Sequence, residues 1–217
     1  MFKHLSGVLR NGPGFRILVT DGRGRMFDCL VTSVGRSEAV CRIEGVRERV
    51  GEPSISVTMA LSLLKNPARF DVAVEKATEL GVRTIVPILC ERTVGRRPRK
   101  DRLAGIALAA MKQSGRCVLP EIAPSASFRE LVTSAGMHGL RLLPHEKAGS
   151  KEFIDSVIAR HQGAASVVVA IGPEGGFTEE EVSEATAAGF ILVSLGPRRL
   201  RAETAAIRAV SYVVGRE

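Results

Sequence analysis

No Cys-x-x-Cys pair occurs in this chain, and no His stands near its cysteines at metal-ligand spacing. Cys29, Cys41, Cys90 and Cys117 are far apart, so neither a zinc site nor a redox pair is signalled. They read as reduced, mostly buried thiols. His4, His138, His145 and His161 form no ligand set, and no metal is expected. Long apolar runs are missing as well: nothing approaches the roughly 20 residues of a membrane span. The basic start lacks the apolar core of a signal peptide, which predicts a cytoplasmic protein without membrane contact. Internal repeats and low-complexity tracts are absent.

Acidic residues are the minority charge. The 217 residues hold 31 Lys and Arg against 23 Asp and Glu, a net charge of +8, which favours a polyanionic partner such as nucleic acid. The length suits one large domain, or a small domain joined to one of ordinary size.

From Arg16 to Glu44 the chain reads as short strands, "RILVT", "MFDCLVTSV" and "AVCRIE", with hairpin chemistry at Asp21-Gly22 and Gly35. A small antiparallel barrel or sandwich is expected, ending at a linker near Gly51 and Pro53. Beyond it the rhythm changes. "ISVTMALSLL" reads as a strand, after which Asn66 caps a helix with Pro67 at its first position, Phe70, Ala73, Val74 and Ala77 on its apolar face, and Gly81 at its end. Then come the strand "TIVPIL", a helix over 101–114, the strand "LRLLP", a helix over 151–160 and the strand "SVVVAIG". A helix from Thr178, the strand "ILVSLG" and a helix from Glu203 complete the pattern. This alternation predicts an α/β fold with a mostly parallel sheet covered on both faces.

Open parallel sheets bind ligands beyond the carboxyl ends of their strands, where "GPEGG" and "LGPRRLRAE" both fall. Gly172, Gly175 and Gly176 permit close backbone approach, and Thr178 and Glu181 have capping-box spacing. A triphosphate cradle needs a Lys followed by a hydroxyl residue, whereas this turn offers Phe177 and Thr178, and Glu174 repels phosphate. A nucleotide-phosphate enzyme is therefore disfavoured, and an uncharged adenosine or a cationic ligand suits the turn better. A tight strand-to-helix connection with a solvated Glu is the plainer alternative.

"IGPEGGFTEEEV" followed by "LGPRRLRAETA", with the earlier "VEKATELGVRTIVPILCERT" and "QSGRCVLPEI", resembles the RsmE family of the SPOUT superfamily. These four blocks cover most of the chain after Gly51. The resemblance implies an enzyme that methylates a uridine N3 in 16S ribosomal RNA of the small subunit with S-adenosylmethionine. It implies a SPOUT-type parallel sheet with a C-terminal trefoil knot over 52–217, a PUA-like RNA-binding β-barrel over 1–51, and a homodimer. "HLSGVLR" is similar to an early segment of that barrel, whose first strand is expected to be missing here. Lys112 departs from the family, in which an acid often holds that position.

The resemblance places the cofactor on Leu143, Pro144, Gly172, Glu174, Gly176, Leu195, Gly196, Pro197, Leu200 and Arg201. Glu174 would then attract a sulfonium. It makes Arg201 and Glu203 the catalytic pair, one stabilising charge on the uracil oxygens and the other accepting the N3 proton or orienting the base. Spacing alone is equally met by a dipole-favoured carboxylate at a helix start and a surface Arg. No covalent nucleophile is required for methylation at nitrogen. "ERTVGRRPRKDR" gathers Arg92, Arg96, Arg97, Arg99, Lys100 and Arg102 for RNA phosphates, or is a solvated loop; Lys65, Arg69, Lys76 and Arg116 extend that surface. A noncatalytic RNA-binding or ribosome-assembly factor is the alternative function.

Overall fold

The computed structural model describes residues 13–36, 38–146, 148 and 152–215. His4 and the "HLSGVLR" segment lie outside the described residues. The chain divides into two compact units, one of 1–52 with Gly115–Val118, the other of Pro53–Ser114 with Leu119–Glu217.

In the first unit, β1 (Arg16–Thr20), β2 (Arg25–Val34) and β3 (Ala39–Glu48) form an antiparallel sheet in that order. The β1–β2 turn is held by Asp21, whose Oδ1 accepts from the Arg23 and Arg25 amides at 2.8 and 3.1 Å. The Arg23 amide foremost, then the Arg25 guanidinium on Oδ2, draw its pKa down to about 2. Glu52 anchors Gly115–Val118: it accepts from the Cys117 and Val118 amides and pairs with Arg116 at 2.6 Å. Arg116 is only 2% exposed. The sequence reading put this residue on the RNA surface, but its guanidinium is spent inside the first unit, where a buried cation needs an anion.

The second unit is built on one parallel sheet. Its strands are β4 (Ser56–Ser62), β5 (Thr84–Leu89), β6 (Glu121–Ile122), β7 (Ala126–Ser127), β8 (Leu140–Pro144), β9 (Ser166–Ile171) and β10 (Ile191–Val193), in the order β10-β8-β9-β4-β5-β6 with β7 beside β5. The helices are α1 (Pro67–Glu79), α2 (Lys100–Gln113), α3 (Phe128–Ser134), α4 (Ile154–Arg160), α5 (Glu179–Ala187) and α6 (Ala202–Val214). Alternation along the strands splits the core in two. Met59, Leu61, Val167 and Val169 face α1, α2, α4 and α6, whereas Ala60, Val168 and Ala170 face α3 and α5.

Local chemistry fixes the helix starts. The Asn66 side chain accepts from the Ala68 amide with Pro67 at the first position, and Thr178 and Glu181 form the expected capping box. Phe70 of α1 is 3% exposed within the first cluster, so its loss to Ala costs about 3–5 kcal/mol. Helix α3 was not foreseen; it carries its own capping box, Ser127 with Glu130. Helix α4 starts at Ile154, three residues later than the sequence suggests, with Phe153 as its cap. No helix among the described residues is long and apolar enough to cross a membrane, and none of their His, Cys, Asp or Glu residues gather in groups of three that could hold a metal ion.

Candidate active site

Strands β8, β9 and β10 are neighbours in the sheet and run parallel, so their carboxyl ends emerge on one edge. The loops that follow enclose a cavity of about 850 Å³. Pro144 and His145 line it from β8, Gly172, Pro173, Glu174, Gly175 and Gly176 from β9, and Leu195 through Arg201 from β10. Nine of the ten residues expected to hold the cofactor meet here. Leu143 does not. It is fully buried in the second core cluster, beneath the α3–α5 face, because a sheet covered on both sides buries consecutive strand residues on opposite faces.

Hydrogen bonds flank β10 on two sides. The His145 amide donates to the Val193 carbonyl at 3.0 Å. On the other side the Ser194 amide donates to Glu152 at 2.8 Å, and the Ile154 amide to Ser194 at 3.1 Å. The end of β10 therefore runs between the end of β8 and the start of α4.

Glycine is required at particular points of the cavity wall. A Cβ on Gly172 would stand 3.1 Å from the Phe177 ring, which itself packs on Phe128 with centroids 4.9 Å apart. Gly196 has φ +108°, a left-handed conformation that costs other residues. Two bare backbone stretches result, bordered by the apolar Leu195, Leu200 and Ile171. Glu174 is exposed and its Oε1 accepts from the Lys65 amide at 3.1 Å, which fastens the glycine loop to the start of α1.

The loop after β5 is fastened to the same wall. Arg92 Nη1 donates to the Gly175 carbonyl at 3.0 Å and to that of Phe177 at 3.4 Å. Glu181, 8% exposed, accepts from the Glu91 amide through Oε1 and from Thr178 through Oε2. Beside it lies Cys90, 7% exposed, whose thiol is pushed up to about 12 by burial and by the Glu181 charge. Such a thiol is protonated and unreactive at neutral pH.

Of the other expected RNA contacts, Arg96, Arg97, Arg99 and Lys100 are exposed, and Arg102 is paired with Asp71 of α1. Arg201 borders the cavity, but Glu203 does not; its carboxylate lies 3.7 Å from Arg69 Nε, and Arg69 faces the cavity. Arg198 and Arg199 also border it and were not among the candidates, although their place between Pro197 and Leu200 was the available signal. His145 also lines the cavity. His138 is half-buried, its Nδ1 has no hydrogen-bond partner among the described residues, and burial, aided by Arg141, lowers its pKa.

The model of the RNA methyltransferase domain family matches residues 51–214, the stretch that carries the parallel sheet and this cavity. The ribosomal RNA small subunit methyltransferase E of Synechocystis is 34% identical over 97% of this chain and 69% of that protein. Its Mycobacterium tuberculosis counterpart is 33% identical over 97% and 82%. A crystal structure of the Neisseria gonorrhoeae enzyme bound to S-adenosyl methionine superposes with a TM-score of 0.84 at 30% identity, covering 97% of this chain and 86% of that one. The chain belongs to the ribosomal RNA small subunit methyltransferase E family.

Proposed function

We propose that this protein is an S-adenosylmethionine-dependent methyltransferase acting on 16S ribosomal RNA of the small subunit, with N3 of a uridine as the acceptor. The observation that carries the reading is the convergence of three strand-end loops on one 850 Å³ cavity that bares its backbone at Gly172, Gly176 and Gly196. The residues fit the cofactor: backbone amides and carbonyls suit an adenine edge, Leu195 and Leu200 its faces, and Glu174 a cation. When bound, S-adenosylmethionine supplies a methyl carbon on a positively charged sulfur, open to in-line attack by the acceptor nitrogen.

The chain's own residues have separable tasks. N3 of uridine is only weakly acidic, so its proton leaves more readily when cations stand by the ring oxygens. Arg201 is placed for this, on the cavity rim at the start of α6 with no ion pair of its own among the described residues. Glu203 is turned to Arg69, which favours an orienting role over proton acceptance. Exposed Arg96, Arg97, Arg99 and Lys100 attract phosphates without reading sequence.

Three further features go with the reading. A trefoil knot is supported by the path of β10 between the end of β8 and residues 152–154. A PUA-like barrel is supported by the antiparallel sheet of the first unit. A homodimer packed through the knot, in the cytoplasm, completes it. The direct test is mass spectrometry of 16S RNA from a strain lacking the gene, followed by treatment of its small subunits with purified protein and S-adenosylmethionine. A methylated uridine that disappears in the strain and returns in vitro is expected; subunits left unmodified by folded protein that binds S-adenosylmethionine would overturn the function.

A further inference from the structure

A second cavity of about 580 Å³ adjoins the first, bounded by Lys65, Asn66 and Pro67 at the start of α1, by Val94, and by four residues shared with the first cavity: Arg69, Arg92, Glu174 and Gly175. Of its lining residues the cofactor reading uses Glu174 alone. Its volume is of the order that takes one small-molecule-sized group.

Three cations meet there. Lys65 is exposed and its side chain has no ion pair among the described residues. Arg69 presents Nε to Glu203, leaving both Nη groups. Arg92 uses Nη1 on the glycine loop, leaving Nε and Nη2. Against one lining carboxylate, Glu174, which accepts from the Lys65 backbone, these three cations outweigh the repulsion that the glycine turn alone would present to a phosphate. The remaining wall is Gly175, Asn66, whose side chain is engaged in capping α1, and two apolar residues, Pro67 and Val94, the latter 73% exposed. Directly after Val94 the chain enters the exposed run of Arg96, Arg97, Arg99 and Lys100. A cationic pocket with an apolar side, sharing four lining residues with the first cavity and followed in the chain by a basic loop, matches one repeat of a polynucleotide strand.

We propose that this second cavity seats the nucleotide next to the acceptor, with its phosphate among Lys65, Arg69 and Arg92 and its sugar or base against Val94 and Pro67. The inference rests on the methyltransferase reading and adds to it the path of the RNA: from the basic loop, through the side cavity, to the acceptor.

Lys65→Ala tests it, because the substitution keeps the backbone amide that holds Glu174. Binding of unmethylated small subunits, measured across a salt series, is expected to weaken by about tenfold. The slope of log affinity against log salt should become shallower by about one, the signature of one lost phosphate contact. Lys65→Arg should restore both, Val94→Glu should weaken RNA binding by at least as much, and S-adenosylmethionine affinity should stay unchanged in all three. An unchanged salt slope in Lys65→Ala, or a loss of cofactor affinity equal to the loss of RNA affinity, would overturn the assignment. Wild-type protein that methylates no RNA would instead sink the functional reading, whereas active wild type with an unaltered Lys65→Ala variant sinks only the side-cavity proposal.

Discussion

Arg92 reaches across 83 residues of sequence to donate a hydrogen bond to the Gly175 carbonyl at 3.0 Å. The arginine-rich loop after β5 is thereby tied to the glycine loop that walls the cavity. Arg92→Ala removes the tie without touching the core. At about 1 kcal/mol for an exposed bond of this kind, cofactor affinity should fall about fivefold by calorimetry, with little change in melting temperature. An affinity equal to wild type would mean that the loop holds its shape unaided.

Gly172 is the point where the wall leaves no space. An added Cβ falls 3.1 Å from the Phe177 ring, and that ring is boxed in by Phe128. Gly172→Ala should force the ring outward at a cost of about 1–3 kcal/mol in stability. It should also weaken S-adenosylmethionine binding more than tenfold. Thermal melts and calorimetry on one preparation separate the two effects.

Glu181 serves two elements with one carboxylate, accepting from Glu91 at 2.8 Å and Thr178 at 2.9 Å. In Glu181→Gln an amide N–H must oppose one of these donors inside a buried site. Unfolding free energy should drop by about 1–3 kcal/mol. Hydrogen exchange at the Glu91 and Thr178 amides should quicken ahead of the sheet amides; uniform quickening would show that the carboxylate supports the whole unit and not this junction.

Cys90 sets a pH dependence at the alkaline end. Burial and the Glu181 charge raise its folded-state pKa from 9.0 to about 12, so the native protein keeps a proton that the unfolded chain releases. The contribution to stability is complete below pH 9.0 and declines from there to about 12. Denaturation midpoints of wild type and Cys90→Ala should therefore draw together between those limits. Native Cys90 should also resist a thiol reagent at pH 8 while the unfolded chain reacts.

Much of this was legible from local signals. The Asn66-Pro67 start of α1, the Thr178 and Glu181 capping box and the glycine turns lie within a few residues of one another, so spacing reports them. What escaped depends on partners remote in sequence. Arg116 read as one more surface cation because its partner, Glu52, lies 64 residues away. Gly115–Val118 reads as part of the second domain, yet Glu52, Thr20 and Val50 bind it into the first unit. Leu143 reads as a cavity leucine until the sheet is seen to be covered on the side it faces. Helix α3 is different: "SFRE" shows the capping box, but seven residues give too little periodicity to draw the eye.

The Arg69–Glu203 pair joins α1 to α6 at the edge of both cavities, at 3.7 Å, with Glu203 13% and Arg69 35% exposed. A half-open pair of this length adds little to stability, about 0.5 kcal/mol, so its worth must be sought in activity. Glu203→Gln would leave Arg69 free to swing from the cavity rim, and Arg69→Ala would remove the cation itself. If Glu203 acts by holding Arg69, each variant should slow methyl transfer by about tenfold, and the double variant should be no slower than either. If Glu203 instead accepts the N3 proton, its loss should flatten the acid limb of the pH–rate profile and multiply with the loss of Arg69. Single-turnover rates of the three variants, measured across pH at saturating S-adenosylmethionine, decide between a positioning carboxylate and a base.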